Sequence, residues 1–177
     1  TQHVAVFGRS GAGKTNVTFH LLQQLIHRRV PVLFLDWKRT ARHLMPLLGK
    51  RLQVYTPGRD LAPFPFNPFL APPGCEPHVY VHHLVDVLAN AYTLGEGAKS
   101  ILHRALEACY ERTDAPSLAD VQQAVAQMET KERQSGWKIS ATRALESVAF
   151  SKTTNLNSEA QRAFAKALLQ QHTIVGL

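Results

Sequence analysis

Cysteine is scarce in this chain of 177 residues: Cys75 and Cys109 stand far apart and without C-x-x-C spacing. That excludes a disulfide framework and a cysteine-based zinc site, and it suits free thiols in a reducing cytoplasm. No apolar stretch reaches the length of a bilayer span and no secretory leader is visible, so neither a membrane span nor export is expected. No internal repeat is evident, which excludes a repeat array. Acidic residues are few, 13 Asp and Glu against 20 Lys and Arg, giving a net charge of +7 and a pI near 9.7. Such a balance favours a polyanionic partner, with nucleic acid the obvious one. Yet no Lys/Arg run exceeds two residues, and Arg28-Arg29, Lys38-Arg39 and Lys50-Arg51 read as solvated element ends before they read as a DNA footprint.

What is present is more specific. Gly8-Arg9-Ser10-Gly11-Ala12-Gly13-Lys14-Thr15 reads G-x-x-x-x-G-K-T, a complete phosphate-binding loop, followed at once by Asn16. The glycines let backbone N–H groups curl around a triphosphate, which identifies Gly8 to Asn16 as the expected nucleotide-binding residues. Lys14 is the expected catalytic cation on the β/γ-phosphates, and the Thr15 hydroxyl the expected Mg²⁺ ligand. The cofactors implied are ATP and Mg²⁺. Context agrees: His3-Val4-Ala5-Val6-Phe7 suits a buried strand, and Asn16 to Arg29 carries Val17, Leu21, Leu22, Leu25 and Ile26 at helical spacing. Strand, glycine loop and helix together point a helix N-terminus at the phosphates.

Hydrophobic residues make up 45% of the chain, enough for one globular domain with a real core. Pro31 to Asp36 is a second buried-strand candidate, so a βαβ unit and a parallel sheet are expected. Thr40 to Leu48 reads as a short helix with Thr40 as its N-cap, and Leu52 to Tyr55 as a third strand. Seven prolines then fall between Pro57 and Pro77, interleaved with Phe64, Phe66 and Phe69. Proline this dense excludes helix and central strand, and the aromatics suit a segment packed onto its own protein better than one stacking bases. Beyond it the pattern is helical: Tyr80–Ala91, Ala98–Arg112, a helix opened by the Ser117/Asp120 capping box and running through Met128, Ile139–Phe150 and Ser158–Gln170. Thr130 to Gly136 is polar and reads as a loop. His78 and His82 share helical i, i+4 spacing beside His83, but no third ligand is near and a solvated or partly packed helix face is the plainer reading.

Several of these features together resemble the HerA/FtsK superfamily of P-loop ATPases, the HerA-like branch in particular. They are the phosphate loop with Asn16, the strand Leu33-Phe34-Leu35-Asp36-Trp37-Lys38 ending Asp-x-Lys, the Phe66-Asn67-Pro68-Phe69 motif after the third strand, and the helical bundle that follows. The resemblance implies a RecA-like α/β fold. Residues 1–56 would be the βαβ core, 57–77 a proline-rich connection, 78–171 a helical insertion and 172–177 the start of the next core strand. It also implies an ATP-driven translocase or helicase acting on DNA, double-stranded in first expectation, as a homo-hexamer with a nuclease or other effector partner. Arg143 is a candidate for an arginine offered to a neighbouring subunit's site, with Arg104, Arg112 and Arg133 competing; a surface arginine is the plainer reading of each. The Walker B carboxylates are expected beyond Leu177. Because the chain starts at Thr1 without Met and stops in an apolar run, it reads as a fragment of a longer protein, poorly active alone. Asp36 ends an apolar strand and could itself be taken for Walker B, against a helix-capping or loop-ordering role near Lys38. The competing functions are a P-loop small-molecule phosphotransferase and a non-hydrolysing nucleotide-binding regulatory module.

Overall fold

Apolar residues at helical spacing behind the glycine loop form helix α1 (Lys14–His27), which buries Leu22 and Ile26 and leaves Val17, Leu21 and Leu25 exposed. The computed structural model describes residues 3–150 and 158–176. It divides into two units: Thr1–Pro57 with Phe164–Leu177, and Gly58–Ala163.

In the first unit, strands β1 (Val32–Asp36), β2 (Leu52–Tyr55) and β3 (His172–Gly176) form a parallel sheet in the order β1-β3-β2. Phe34 and Val54 both register with Ile174, so β3 is the central strand. Side chains alternate across a strand, and one face sets Val32, Phe34, Leu52, Val54 and Ile174 against Leu22 and Ile26 of α1. The same core takes Ala41, Leu44 and Leu48 from a 3-10 turn (Thr40–Leu44) and helix α2 (Met45–Leu48). On the other face Tyr55 meets Phe164 edge-on at 5.4 Å, whereas Leu33 and Leu35 of β1 are exposed. The chain is α/β, compatible with the P-loop NTPase architecture.

The second unit is helical. After the proline-rich stretch come α3 (Pro77–Tyr92), α4 (Glu96–Tyr110), α5 (Leu118–Gln127), a 3-10 turn (Glu132–Gln134) and α6 (Ser135–Phe150). Helix α7 (Ser158–Gln170) begins here and ends in the first unit. α4 is central, packing on α3, α5 and α6, because Ala98, Ile101, Leu102, Ala105, Leu106 and Cys109 put a buried stripe along it at i, i+3, i+4, i+7 spacing. Leu102, Leu106 and Leu145 are fully buried, and each such side chain stabilises the fold by about 1.5–3 kcal/mol. Ser117 and Asp120 form the expected reciprocal capping box, with N–H to oxygen distances of 2.8 and 3.2 Å.

The proline-rich segment is pinned by its one buried amide. Asn67 donates to the Pro116 carbonyl at 2.9 Å and accepts from the Phe69 N–H, while its backbone exchanges two bonds with the Gln161 side chain at 2.7 and 3.0 Å. Phe69 is fully buried in the helical core, Phe66 is exposed and Phe64 half-buried. The aromatic at 69 is therefore packing.

Three sequence expectations differ. His3–Phe7 forms no strand: residues 3–9 carry no regular structure, and Val4 and Phe7 are 82% and 91% exposed. Among the described residues no strand edge pairs with that run, and an extended run gains its stability from ladder bonds to a neighbour. Thr40 is not an N-cap; Arg39 holds that position in the left-handed region, φ 56°, and no side chain caps the turn from there. The polar stretch before Trp137 is shorter than expected, since a 3-10 turn and then α6 start within it.

Candidate nucleotide-binding site

The phosphate loop enters α1 through two left-handed glycines, Gly11 at φ 79° and Gly13 at φ 85°. An L side chain is strained at both, which accounts for the glycine the motif fixes at 13 and for the further one this chain carries at 11. At Gly8 a Cβ would come into van der Waals contact with the Ala12 Cβ at 3.4 Å and Lys14 Cγ at 3.5 Å. The Ala12 N–H closes the turn on the Arg9 carbonyl at 3.2 Å.

Gly13 is the N-cap of α1 and supplies no side-chain acceptor, and the first turn holds no acidic residue. The leading N–H groups of a helix have no intrahelical partners, and the macrodipole places roughly half a positive charge there. A helix of 14 residues presented this way is an anion site. Lys14 adds a full charge. Its Nζ donates to the Gly8 and Arg9 carbonyls, both at 2.7 Å, so the ammonium lies across the mouth of its own loop. Thr15 and Asn16 are exposed at the same helix end, and the Thr18 hydroxyl is turned back to the Lys14 carbonyl at 3.1 Å.

These residues fit a triphosphate with its metal ion. Left-handed glycines, an uncapped helix end and a cation held over the loop converge on one turn, and the Thr15 side chain is exposed beside them. The loop can bind, orient and neutralise phosphate. It holds no carboxylate to serve as a base.

Asp36 resolves differently from a catalytic acid. It is buried at 4% exposure, and its Oδ2 accepts the Ala41 N–H at 2.7 Å while its carbonyl accepts the Arg39 N–H. Both bonds order the segment leaving β1. Lys38 is exposed.

The arginine candidates scatter over the second unit. Arg143 is exposed on α6, between a depression lined by Thr93, Gly95 and Ser140 and another lined by Ser135, Lys138 and Glu146. Arg112 is engaged locally, with Nε on the Ala108 carbonyl, and Arg104 is exposed on α4. The side chain of Arg133 lies outside the described ones. His78, His82 and His83 are all exposed, and the His82 ring packs at a tilt against His103 of α4, ring centroids 4.3 Å apart. Burial and the facing His82 both pull the His103 pKa down. Among the described residues no three His, Cys, Asp or Glu side chains gather as a metal set, and Cys75 and Cys109 are free thiols. No helix among the described residues is long and apolar enough to cross a membrane.

The family model described as "Helicase HerA, central domain" matches residues 1–173. No curated protein and no solved structure matches the chain.

Proposed function

Since the chain belongs to the family of the helicase HerA central domain, an ATPase domain of motor type, we propose that it is the ATP-binding and ATP-hydrolysing part of a DNA translocase. The observation that supports this most is the loop itself: left-handed Gly11 and Gly13 lead into an uncapped α1, with the Lys14 ammonium held across the mouth. In this reading the backbone from Gly11 to Thr15 cradles the β- and γ-phosphates, and Lys14 holds charge on the transferring group. Thr15 would hold Mg²⁺, which when bound neutralises charge building on the phosphate oxygens. The net charge of +7 supports duplex DNA as the partner. A homo-hexameric ring, a nuclease or other effector partner and a cytoplasmic setting complete the proposal, with Arg143 as the residue offered across a subunit contact.

The test is ATP hydrolysis with and without duplex DNA, beside Lys14→Ala and Thr15→Ala. Removing a cation that stabilises phosphoryl transfer should cost at least about a hundredfold in turnover. Lys14→Ala is therefore expected to abolish a DNA-stimulated rate. Thr15→Ala should weaken nucleotide binding in Mg²⁺ and leave metal-free binding nearly unchanged. Turnover indifferent to DNA would shift the function to a small-molecule phosphotransferase, and nucleotide binding without turnover to a regulatory module.

A further inference from the structure

The positive charge of this chain is not evenly spread. The first unit holds ten Lys and Arg and a single acidic residue, Asp36, whereas the second holds ten Lys and Arg and twelve Asp and Glu. Asp36 is buried and its carboxylate is engaged with Ala41. The whole excess therefore lies on the first unit, with no surface carboxylate among the described residues there to balance it.

Part of that charge lies in, or next in the chain to, the lining of a cavity. At the end of α1 away from the phosphate loop, a space of about 340 Å³ is lined by Gln23, Gln24, His27, Leu47, Leu48 and Arg51. Arg28 and Arg29 follow His27 in the chain and Lys50 precedes Arg51, and all four cations are exposed. Closing the helix does not occupy them. The Arg28, Arg29 and Val30 N–H groups bond to the Gln24, Ile26 and Leu25 carbonyls at 3.0–3.1 Å, so backbone amides satisfy the last turn. Lys99 pairs with Asp86 and with Glu96 in the second unit. The cavity thus offers two neutral amides, an imidazole and a guanidinium, a set suited to phosphate oxygens, and three exposed cations adjoin its lining residues in the chain.

The spacing makes this a site of its own. A helix of 14 residues spans about 21 Å, beyond the Debye length of about 8 Å at physiological salt. An anion here and a nucleotide at Lys14 are nearly independent electrostatically. The lining holds no Phe, Tyr or Trp ring on which a base could stack, so recognition here would be chiefly of the backbone and indifferent to sequence.

We propose that this cavity, with Arg51 in its lining and the exposed Arg28, Arg29 and Lys50 beside its lining residues in the chain, forms a second phosphate site, which takes the phosphodiester backbone of a nucleic acid. The identity of the partner rests on the translocase reading; the place of the site rests on charge and geometry alone.

The test is fluorescence anisotropy of a labelled mixed-sequence duplex across a salt series. The unaltered protein is compared with Arg28→Gln/Arg29→Gln, with Arg51→Gln and, as a control on the second unit, with Arg104→Gln. Each lost phosphate contact flattens the slope of log affinity against log salt by about one. The double variant is expected to flatten it by about two and Arg51→Gln by about one, each weakening binding severalfold at low salt. Arg104→Gln is expected to change neither. A fluorescent ATP analogue should bind all variants equally, which also reports that the first unit is folded. Slopes unchanged in folded variants overturn this site and leave the translocase reading intact. Slopes that fall as expected, in a protein whose turnover ignores DNA, uphold the site and overturn the translocase reading. Absence of binding to both duplex and single strands overturns both, and tighter binding to phosphatidylserine vesicles than to either strand overturns the nucleic-acid assignment.

Discussion

Tyr80 shows how one side chain ties a structureless segment to the helices. Its hydroxyl donates to the Pro68 carbonyl at 2.7 Å, and the Tyr110 hydroxyl bonds to the Phe69 carbonyl and accepts the Ala71 N–H. Proline leaves a backbone short of donors, so carbonyls in such a stretch need partners from elsewhere. Burial, with Tyr110 and Cys75 beside it, pushes the Tyr80 pKa up to about 12. An unfolded tyrosine ionises near pH ~10, so above that the unfolded chain loses a proton that the folded chain retains. The contribution of Tyr80 is whole below about pH 10 and is lost as pH rises towards the folded value. The thermal midpoint is thus expected to fall through this alkaline range, and to fall less steeply in Tyr80→Phe. That variant should already be less stable at neutral pH by about 1 kcal/mol, the net worth of one hydrogen bond. Equal alkaline slopes in the two proteins would mean that Tyr80 titrates as it does in water. Asp36 makes a related point: a carboxylate at the end of an apolar strand reads alike in sequence whether it performs chemistry or receives the Ala41 N–H, and only the bond distinguishes them.

Elements were legible in the sequence where local chemistry decides them. The stripe Ala98 to Cys109 and the Ser117/Asp120 box set α4 and the start of α5, because periodicity and capping act within a few residues. The phosphate loop was legible for the same reason: φ, cap and cation all lie within eight positions. Illegible were the long-range pairings. Asn67 meets partners 49 and 94 residues away, and His82 meets His103 on a different helix. His3–Phe7 has a strand's composition, but a strand also needs an edge to pair with, and composition carries no such information. Gly97 joins these two classes. In the first turn of α4 it looks like a weak point, since glycine in a helix costs about 1 kcal/mol relative to alanine. The structure reverses the sign: a Cβ there would lie 2.0 Å from the Trp137 ring of α6. Gly97→Ala is expected to destabilise the protein by about 1–3 kcal/mol, the usual cost of overpacking. Gly97→Ala combined with Trp137→Ala should recover part of that loss. Denaturant midpoints of the single and double variants check it, and a stabilised single variant would show that α6 does not bear on Gly97.

At the scale of the whole molecule, two units of similar basic content differ in what balances it. The helical unit surrounds its core with both signs, while the sheet unit keeps ten cations and one buried carboxylate. Like charges on one body repel, and that repulsion opposes compactness until salt screens it or a polyanion neutralises it. The sheet unit also has the less covered core: its exposed apolar residues include Leu33, Leu35 and Trp37, with Trp37 at 80% exposure. The two units should therefore answer salt differently. Raising salt from a dilute buffer is expected to slow hydrogen exchange at Phe34 and Ile174 in the sheet and to leave Leu102 and Leu106 of α4 nearly unchanged. Exchange through local opening tracks the free energy of each cooperative part separately, so the comparison needs no assumption about how the units unfold together. A duplex oligonucleotide at low salt should mimic the effect on the sheet unit alone, and Arg28→Gln/Arg29→Gln should slow the same amides without either addition. Equal slowing in both units would assign the effect to general salting-out, which strengthens burial wherever it occurs, and not to the uneven charge.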